Sequence, residues 1–391
     1  MEKNTSRIDK SVLVSRSLFT EFFNSEKAGG LILLASTIIS LLLANIFLRD
    51  SYVGFWHSEV GGHSLIHWIN DGLMAVFFLL IGLELEREIY IGELSSLRKT
   101  MLPVSAAIGG MLIPAIVYLL INKGTGYEDG FGIPMATDIA FAISILSLLG
   151  SRIPVTLKVF LTALAIVDDL GAILIIALFY SEGIAASYLS GALAVFILLL
   201  VLNRLKVYLL FPYVIGGIIM WYLMSHSGIH PTISGVLLAF AIPFRKTEGY
   251  SPSYRLQHFL HKPVAIIILP LFALANTAII FSGNMREILF GTYSIGVMAG
   301  LFIGKPIGIL SFSYLAVKLK LSELPSDINW KQILGTGFLA GIGFTMSIFI
   351  TLLAFRNNEI VDAIKISILV ASLISGITGY LFLKISRNSL R

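Results

Sequence analysis

Cysteine is missing from all 391 residues, which excludes disulfides, thiolate catalysis and cysteine–metal centres. Charge is scarce. Asp, Glu, Lys and Arg together make up 13% of the chain, about half the share usual in a soluble domain. A soluble protein of this length needs more polar surface than that. The first 27 residues are polar and mix acids with bases. They hold no apolar stretch followed by a small-residue cleavage site, so no removable leader is expected. Linkers, low-complexity tracts and an appended soluble domain are also missing, so residues 1–391 are expected to form one transmembrane domain.

What fills the sequence instead is apolar residues, 56% of it. Apolar runs of about 20 residues mark transmembrane helices. Twelve such segments stand at 28–48, 64–85, 101–122, 133–149, 155–180, 185–202, 208–222, 226–243, 259–281, 293–315, 331–353 and 362–384. They predict an all-α polytopic membrane protein with the lipid bilayer as its partner. The seventh and eighth are short. The net charge of +5 is read by location rather than as a sign of nucleic acid, which is not an expected partner. With both termini in the cytoplasm, the inner segments hold 22 Lys and Arg, against four in the outer loops (Arg49, Lys123, Arg286 and Arg356). Positive charge collects on the inner side. An even number of spans is therefore expected, with 1–27 and 385–391 as cytoplasmic ends.

Two spans contain helix-weakening residues. The fourth, "GFGIPMATDIAFAIS", holds Gly132, Pro134 and Asp138, and the eleventh, "LGTGFLAGIGFTMSIFI", holds Gly335, Gly337, Gly341 and Gly343. Proline removes a backbone donor and glycine weakens a helix. Paired interruptions in the two halves of a transporter point to its binding site. "GIPMATDIAF" resembles "GIGFTMSIF", and "IGGMLIPA" resembles "MAGLFIGKP". The offset is seven spans, so units 3–5 and 10–12 would run in opposite directions, as an inverted repeat. Glycines that merely pack helices closely are the competing reading.

At membrane depth the ionisable residues are Asp71, Glu84, Asp138, Asp168, Asp169, His230 and Lys305. An acid at a helix centre costs roughly 2.5–3.5 kcal/mol on insertion scales. A purely structural pair would match acid with base. Here five acids stand against one lysine and one histidine. A proton or a small hard cation can offset the excess. Desolvation and like-charge repulsion raise carboxylate pKa values, and adjacent acids titrate together. Hard cations take oxygen ligands. A site holding either protons or a cation, but not both, exchanges the two once access alternates. Lys305, between Gly304 and Pro306 in "GLFIGKPIG", is placed to pair with Asp168 or to face the negative ends of the broken helices, with Asp138 near their positive ends.

Other residues carry weaker signals. Glu84 and Glu88 are one turn apart and point to the inner mouth as a cation funnel or pH sensor; a solvated helix end explains them equally well. Asp71 stands near the outer end of span two. His230, before Pro231, reads first as a polar histidine packed at a bend.

The strings "WINDGLMAVFFLLIGLE", "ATDIAFA", "LAIVDDLGAI", "GLFIGKPIG" and "GIGFTMSIFI" together resemble the bacterial NhaA-type sodium–proton antiporters, from about Glu26 to Leu383. The resemblance implies twelve spans, with the fourth and eleventh unwound and crossing near the midplane. It implies that Asp168 and Asp169 bind Na+ or Li+ in exchange for H+, and that Lys305 pairs with Asp168 when the cation is absent. Asp138 and Lys305 would offset the half-helix dipoles, with Thr137 near the crossing. Glu84, Glu88 and the start of span nine, with His258, would sense pH. Exchange would be electrogenic and rise at alkaline pH, serving sodium extrusion and pH homeostasis at the inner membrane. No cofactor is implied beyond the transported ions. Two departures stand out. Gln257 occupies the place of the family's Glu, beside a retained His258 and His261. The loop of residues 49–63 is shorter than the hairpin that pairs two subunits in the family's best-known member, so a homodimer is left open.

Enzymes are a poor fit. Intramembrane aspartyl proteases place their two acids on facing helices, whereas neighbours on one helix point about 100° apart. The alternative reading that stays open is a sodium-coupled symporter for an organic solute.

Overall fold

The computed structural model describes residues 28–92, 97–150, 153–181, 183–245, 251–281 and 285–386, except the side chains of residues 97–99 and 287. Lys3, Arg7, Lys10, Arg16, Lys27, Arg152, Lys246, Arg387 and Arg391, which contribute to the inner positive charge, lie outside the described residues. So does the segment 1–27. The last helix continues to Ser386.

In chain order the helices are α1 (Ala28–Phe47), α2 (Asp50–Trp56), α3 (Leu65–Tyr90), α4 (Thr100–Asn122), α5 (Glu128–Met135), α6 (Ile139–Leu148), α7 (Val155–Phe179) and α8 (Ala186–Arg204). They continue with α9 (Phe211–Ser225), α10 (Ile233–Ala241), α11 (Pro252–Asn276), α12 (Met285–Phe290), α13 (Thr292–Lys318), α14 (Trp330–Ala340), α15 (Phe344–Ala354) and α16 (Asn358–Ser386). Every one of the twelve expected segments contains helix. Among the described residues nine helical segments, α5–α6 counted as one, are long and apolar enough to cross a membrane, and α14–α15 form a tenth as a pair bent by 49°. The seventh and eighth segments, expected to be short, are so: α9 has 15 residues and α10 has 9. Both end early because the chain turns at Ser225–Pro231 and at Pro243.

Between α2 and α3 lies the one sheet among the described residues, an antiparallel hairpin of β1 (Glu59–Val60) and β2 (His63–Ser64). Gly61 and Gly62 form its two-residue turn at φ +64° and +87°. Both positive values suit glycine and match the twist of the flanking strands. Trp68 Nε1 donates to the Val60 carbonyl at 2.8 Å and ties the hairpin to α3.

Among the described residues, α4 and α13 share the most extensive contact of any helix pair. A Cβ on Gly109 would stand 2.2 Å from the Gly308 carbonyl oxygen, and one on Gly308 would stand 2.1 Å from that of Gly109. The contact is reciprocal, as expected where two repeat units face each other. Small residues let backbones approach in a membrane, where no hydrophobic drive holds helices together. α5, α7, α14 and α16 pack around this pair, and α8, α9 and α10 stack in turn against α3. Lys365 is buried in α16 with Asp362 3.7 Å away.

Candidate functional site

Both interrupted segments open at their weak residues. The first runs as α5, an extended stretch at 136–138, then α6; the second breaks at 341–343 between α14 and α15. Freed backbone groups in a bilayer need protein partners, and each break serves the other. The Asp138 N–H donates to the Ile342 carbonyl at 2.6 Å. Ser347 Oγ donates to the Ile133 carbonyl at 2.7 Å. The two broken segments therefore cross at their breaks.

One carboxylate caps two half-helices at that crossing. Asp138 Oδ1 accepts from the Phe141 N–H (3.0 Å) at the start of α6. Its Oδ2 accepts from the Thr345 N–H (3.1 Å) and the Thr345 hydroxyl (2.6 Å) at the start of α15. Helix starts carry partial positive charge, so an anion between two of them is held by both. The opposite ends are handled differently. Lys305 Nζ donates to the Met135 carbonyl at the end of α5. The Thr137 hydroxyl lies 3.0 Å from the Ala340 carbonyl at the end of α14.

Asp168 and Asp169 project from the middle of α7, both buried. Asp168 Oδ2 stands 3.0 Å from Lys305 Nζ and 2.7 Å from the Thr137 hydroxyl. A wide π-turn, Gly300–Gly304, immediately precedes Lys305 and sets where its fully buried side chain leaves the helix. Such turns recur at functional sites. Oδ1 of Asp168 and Oδ1 of Asp169 are both shielded from solvent and make no hydrogen bond. A buried acceptor left unsatisfied costs about 1–3 kcal/mol. Here two such acceptors stand on neighbouring carboxylates.

The profile described as "Na+/H+ antiporter 1" matches residues 20–383. The chain belongs to the Na+/H+ antiporter 1 family. It is 61% identical over 367 residues to a protein of Flavobacterium psychrophilum named Na(+)/H(+) antiporter NhaA, covering 94% of this chain and 96% of that one. Proteins of the same name from Cytophaga hutchinsonii and Dechloromonas aromatica are 55% and 56% identical over 369 residues. They cover 94% and 93% of this chain, and 95% of each relative.

In this member of the Na+/H+ antiporter 1 family, Thr137, Asp138, Asp168 and Lys305 meet with Asp169 at the crossing. The remaining expected residues lie elsewhere. Glu84 and Glu88 are half-buried on α3, and Glu84 is within electrostatic reach of Asp169. Gln257 is buried in the first part of α11, which packs on α3. His258 is exposed and stacks on the Tyr254 ring, 6.3 Å between centroids. Asp71 and His230 come together, Asp71 Oδ1 3.8 Å from His230 Nε2, and the His230 ring meets the Phe349 ring of α15 edge-on, 5.3 Å between centroids. Three residues were not singled out from sequence. Thr345 and Ser347 follow the break at Gly343 directly, which is the signal that marks them. Glu86 is 5% exposed and accepts from the Ser253 hydroxyl at 2.8 Å. It lies between Glu84 and Glu88 in a run of charges that reads as a solvated helix end.

Proposed function

We propose that the chain is a Na+/H+ antiporter, a secondary transporter that alternates access to Asp168 and Asp169 and gives these carboxylates a cation or protons in turn. The observation that carries the reading is the pair of buried Oδ1 atoms without partners beside a single neutralising lysine. The family and the names of the relatives support the choice of sodium and proton. Those names mention no organic solute, and the symporter reading has no observation of its own.

The Thr137 hydroxyl is central to how a cation enters. It has one proton and stands within hydrogen-bond distance of both Asp168 Oδ2 and the Ala340 carbonyl. A hydroxyl donates to one acceptor at a time. With the site empty of metal, donation to Asp168 helps hold the carboxylate to Lys305. When sodium arrives, the proton turns to Ala340, and the hydroxyl oxygen joins the carboxylate oxygens as a hard ligand. Charge follows the same exchange. Ionised Asp168, charged Lys305 and protonated Asp169 sum to zero. Sodium replacing the Asp169 proton keeps the sum at zero. A second proton leaving the Lys305–Asp168 unit makes the exchange electrogenic.

We place the protein in the bacterial inner membrane with both termini in the cytoplasm, so the Glu84–Glu88 end of α3 faces inward and the hairpin outward. Sodium then leaves the cell as protons enter, under regulation by pH at the α3–α11 contact. Lithium follows sodium at the same oxygens. One chain carries a complete site. Pairing of two copies would use the exposed edges of the hairpin, each copy working by itself. In everted vesicles holding an acid-inside pH gradient, added sodium should collapse the gradient with the wild type and leave it intact with Asp169→Asn. Absence of a sodium response from the wild type across the pH range contradicts the reading.

A further inference from the structure

Between α1, α6 and α16 lies a crevice of about 360 Å³ that none of the site residues lines. Glycines bring the three helices together at its floor. A Cβ on Gly30 of α1 would stand 2.1 Å from Ser144 Oγ of α6, and one on Gly376 of α16 would stand 2.9 Å from Ile145 Cδ1. The rim is open: Leu31, Leu34, Leu373 and Ile377 are exposed. The lining offers a polar ligand little. The Thr37 hydroxyl donates to the Leu33 carbonyl at 2.8 Å, and Ser372 Oγ accepts the Phe344 N–H at 3.3 Å. An apolar opening of this kind stays dry, and within a bilayer it meets hydrocarbon.

Length and charge identify the hydrocarbon. On α16 the lining runs from Leu369 to Leu381, a stretch of about 18 Å at 1.5 Å per residue. One leaflet of hydrocarbon is about 15 Å deep, half of the bilayer core. One end of the crevice is the break of the second interrupted segment. Ile342 and Phe344 close it there, on either side of Gly343 between α14 and α15. The Ile342 carbonyl is the one that accepts the Asp138 N–H. At the other end Lys384 follows Leu381 on α16. It is exposed, with its Nζ 5.8 Å from the Tyr380 ring centroid. The crevice therefore begins at a cation, runs the depth of one leaflet and ends at the break. Basic side chains at that level attract anionic headgroups.

We propose that the crevice holds one acyl chain of an anionic phospholipid of the inner leaflet, with its phosphate at Lys384 and its methyl end against Ile342 and Phe344, and that this chain gives way when the break moves. The inference rests on the antiporter reading for that movement, and on the Lys384 end of α16 facing the cytoplasm. Alternating access shifts the broken segments, whose crossing carries the site. Ile342 and Phe344 then move against the end of the crevice. A protein side chain filling that space would be compressed or would leave a void, and a close-packed interior tolerates neither well. An acyl chain slides along its own length and keeps contact in both positions. The bilayer thus supplies a compliant part of the wall behind the break.

The test is light-activated labelling of the full chain in vesicles, using phosphatidylglycerol with a diazirine at the methyl end of one acyl chain. Label should reach Ile342 or Phe344, which are buried at the end of the crevice. Label confined to the rim, at Leu373 or Ile377, is passing lipid and overturns the site, whether residues 1–27, a second copy or nothing fills the crevice. Against an equal amount of the matching phosphatidylcholine probe, the anionic lipid should label about fivefold more, and Lys384→Gln should remove that preference. Equal labelling of the wild type by both overturns the headgroup assignment. Leu373→Trp fills the crevice from its rim. It should lose the label at Ile342 and Phe344 and slow sodium exchange about fivefold with the sodium KM unchanged. Ile377→Trp should do the same. Ile218→Trp, at an exposed position of α9, should do neither. An unchanged exchange rate in a Leu373→Trp protein that has lost the label overturns the role at the break. A wild type that labels at Ile342 or Phe344 but exchanges no sodium overturns the antiporter reading instead.

Discussion

Single side chains at the crossing have separable duties. Lys305 neutralises Asp168 and covers the carbonyl end of α5. Removing one partner of a buried ion pair costs about 3–5 kcal/mol, so Lys305→Met should lower the denaturation midpoint of detergent-purified protein as well as impair exchange. An unchanged midpoint would mean that Asp168 finds its neutralisation elsewhere. Thr137 allows a finer test, because serine keeps the hydroxyl. Thr137→Ser should retain the wild-type sodium KM, while Thr137→Ala should raise it about tenfold, the loss of one ligand of roughly 1.4 kcal/mol. Equal effects from both would assign Thr137 to packing. Part of this geometry was legible beforehand. Lys305 was expected beside Asp168 or at the negative end of a broken helix, and it stands at both. Asp138 was expected near the positive ends of the broken helices, but not its bond to Thr345, which lies 207 residues along the chain. The break at Gly343 marks Thr345 without naming its partner.

At the scale of elements, the interrupted segments and the α4–α13 contact decide where the site sits. Apolar run length is a local property, which is why helix appears in every expected segment. Pro134 and the glycines at 341 and 343 also act locally, and the chain does break beside them. The π-turns at Trp68–Leu73 and Gly300–Gly304 had no such signature, because they arise from packing that places Asp71 and Lys305. The lengths of α9 and α10 were foreseen as short but not their turns. Gly308→Ala should test the helix contact. Its Cβ would meet rigid backbone at 2.1 Å, and overpacking of this kind costs about 1–3 kcal/mol. Folded yield should drop, whereas the same change at Gly62, whose surroundings are open, strains only an exposed turn at positive φ and should leave the α4–α13 contact intact. At the α3–α11 contact, Gln257→Glu adds a second carboxylate to an interface that already buries Glu86. The pH profile of exchange should change; an unchanged profile removes residue 257 from pH sensing.

For the whole molecule, α3 carries Asp71 near one end and Glu84, Glu86 and Glu88 near the other, with Glu84 within electrostatic reach of Asp169. Asp168 and Asp169 are buried beside the crossing. The arrangement works only if cation and protons exclude each other at these carboxylates. That exclusion can be measured without a membrane. Sodium added to purified protein in weakly buffered solution at alkaline pH should release protons in step with binding, and Asp169→Asn should release none. Sodium binding to the wild type with no proton released would contradict the account.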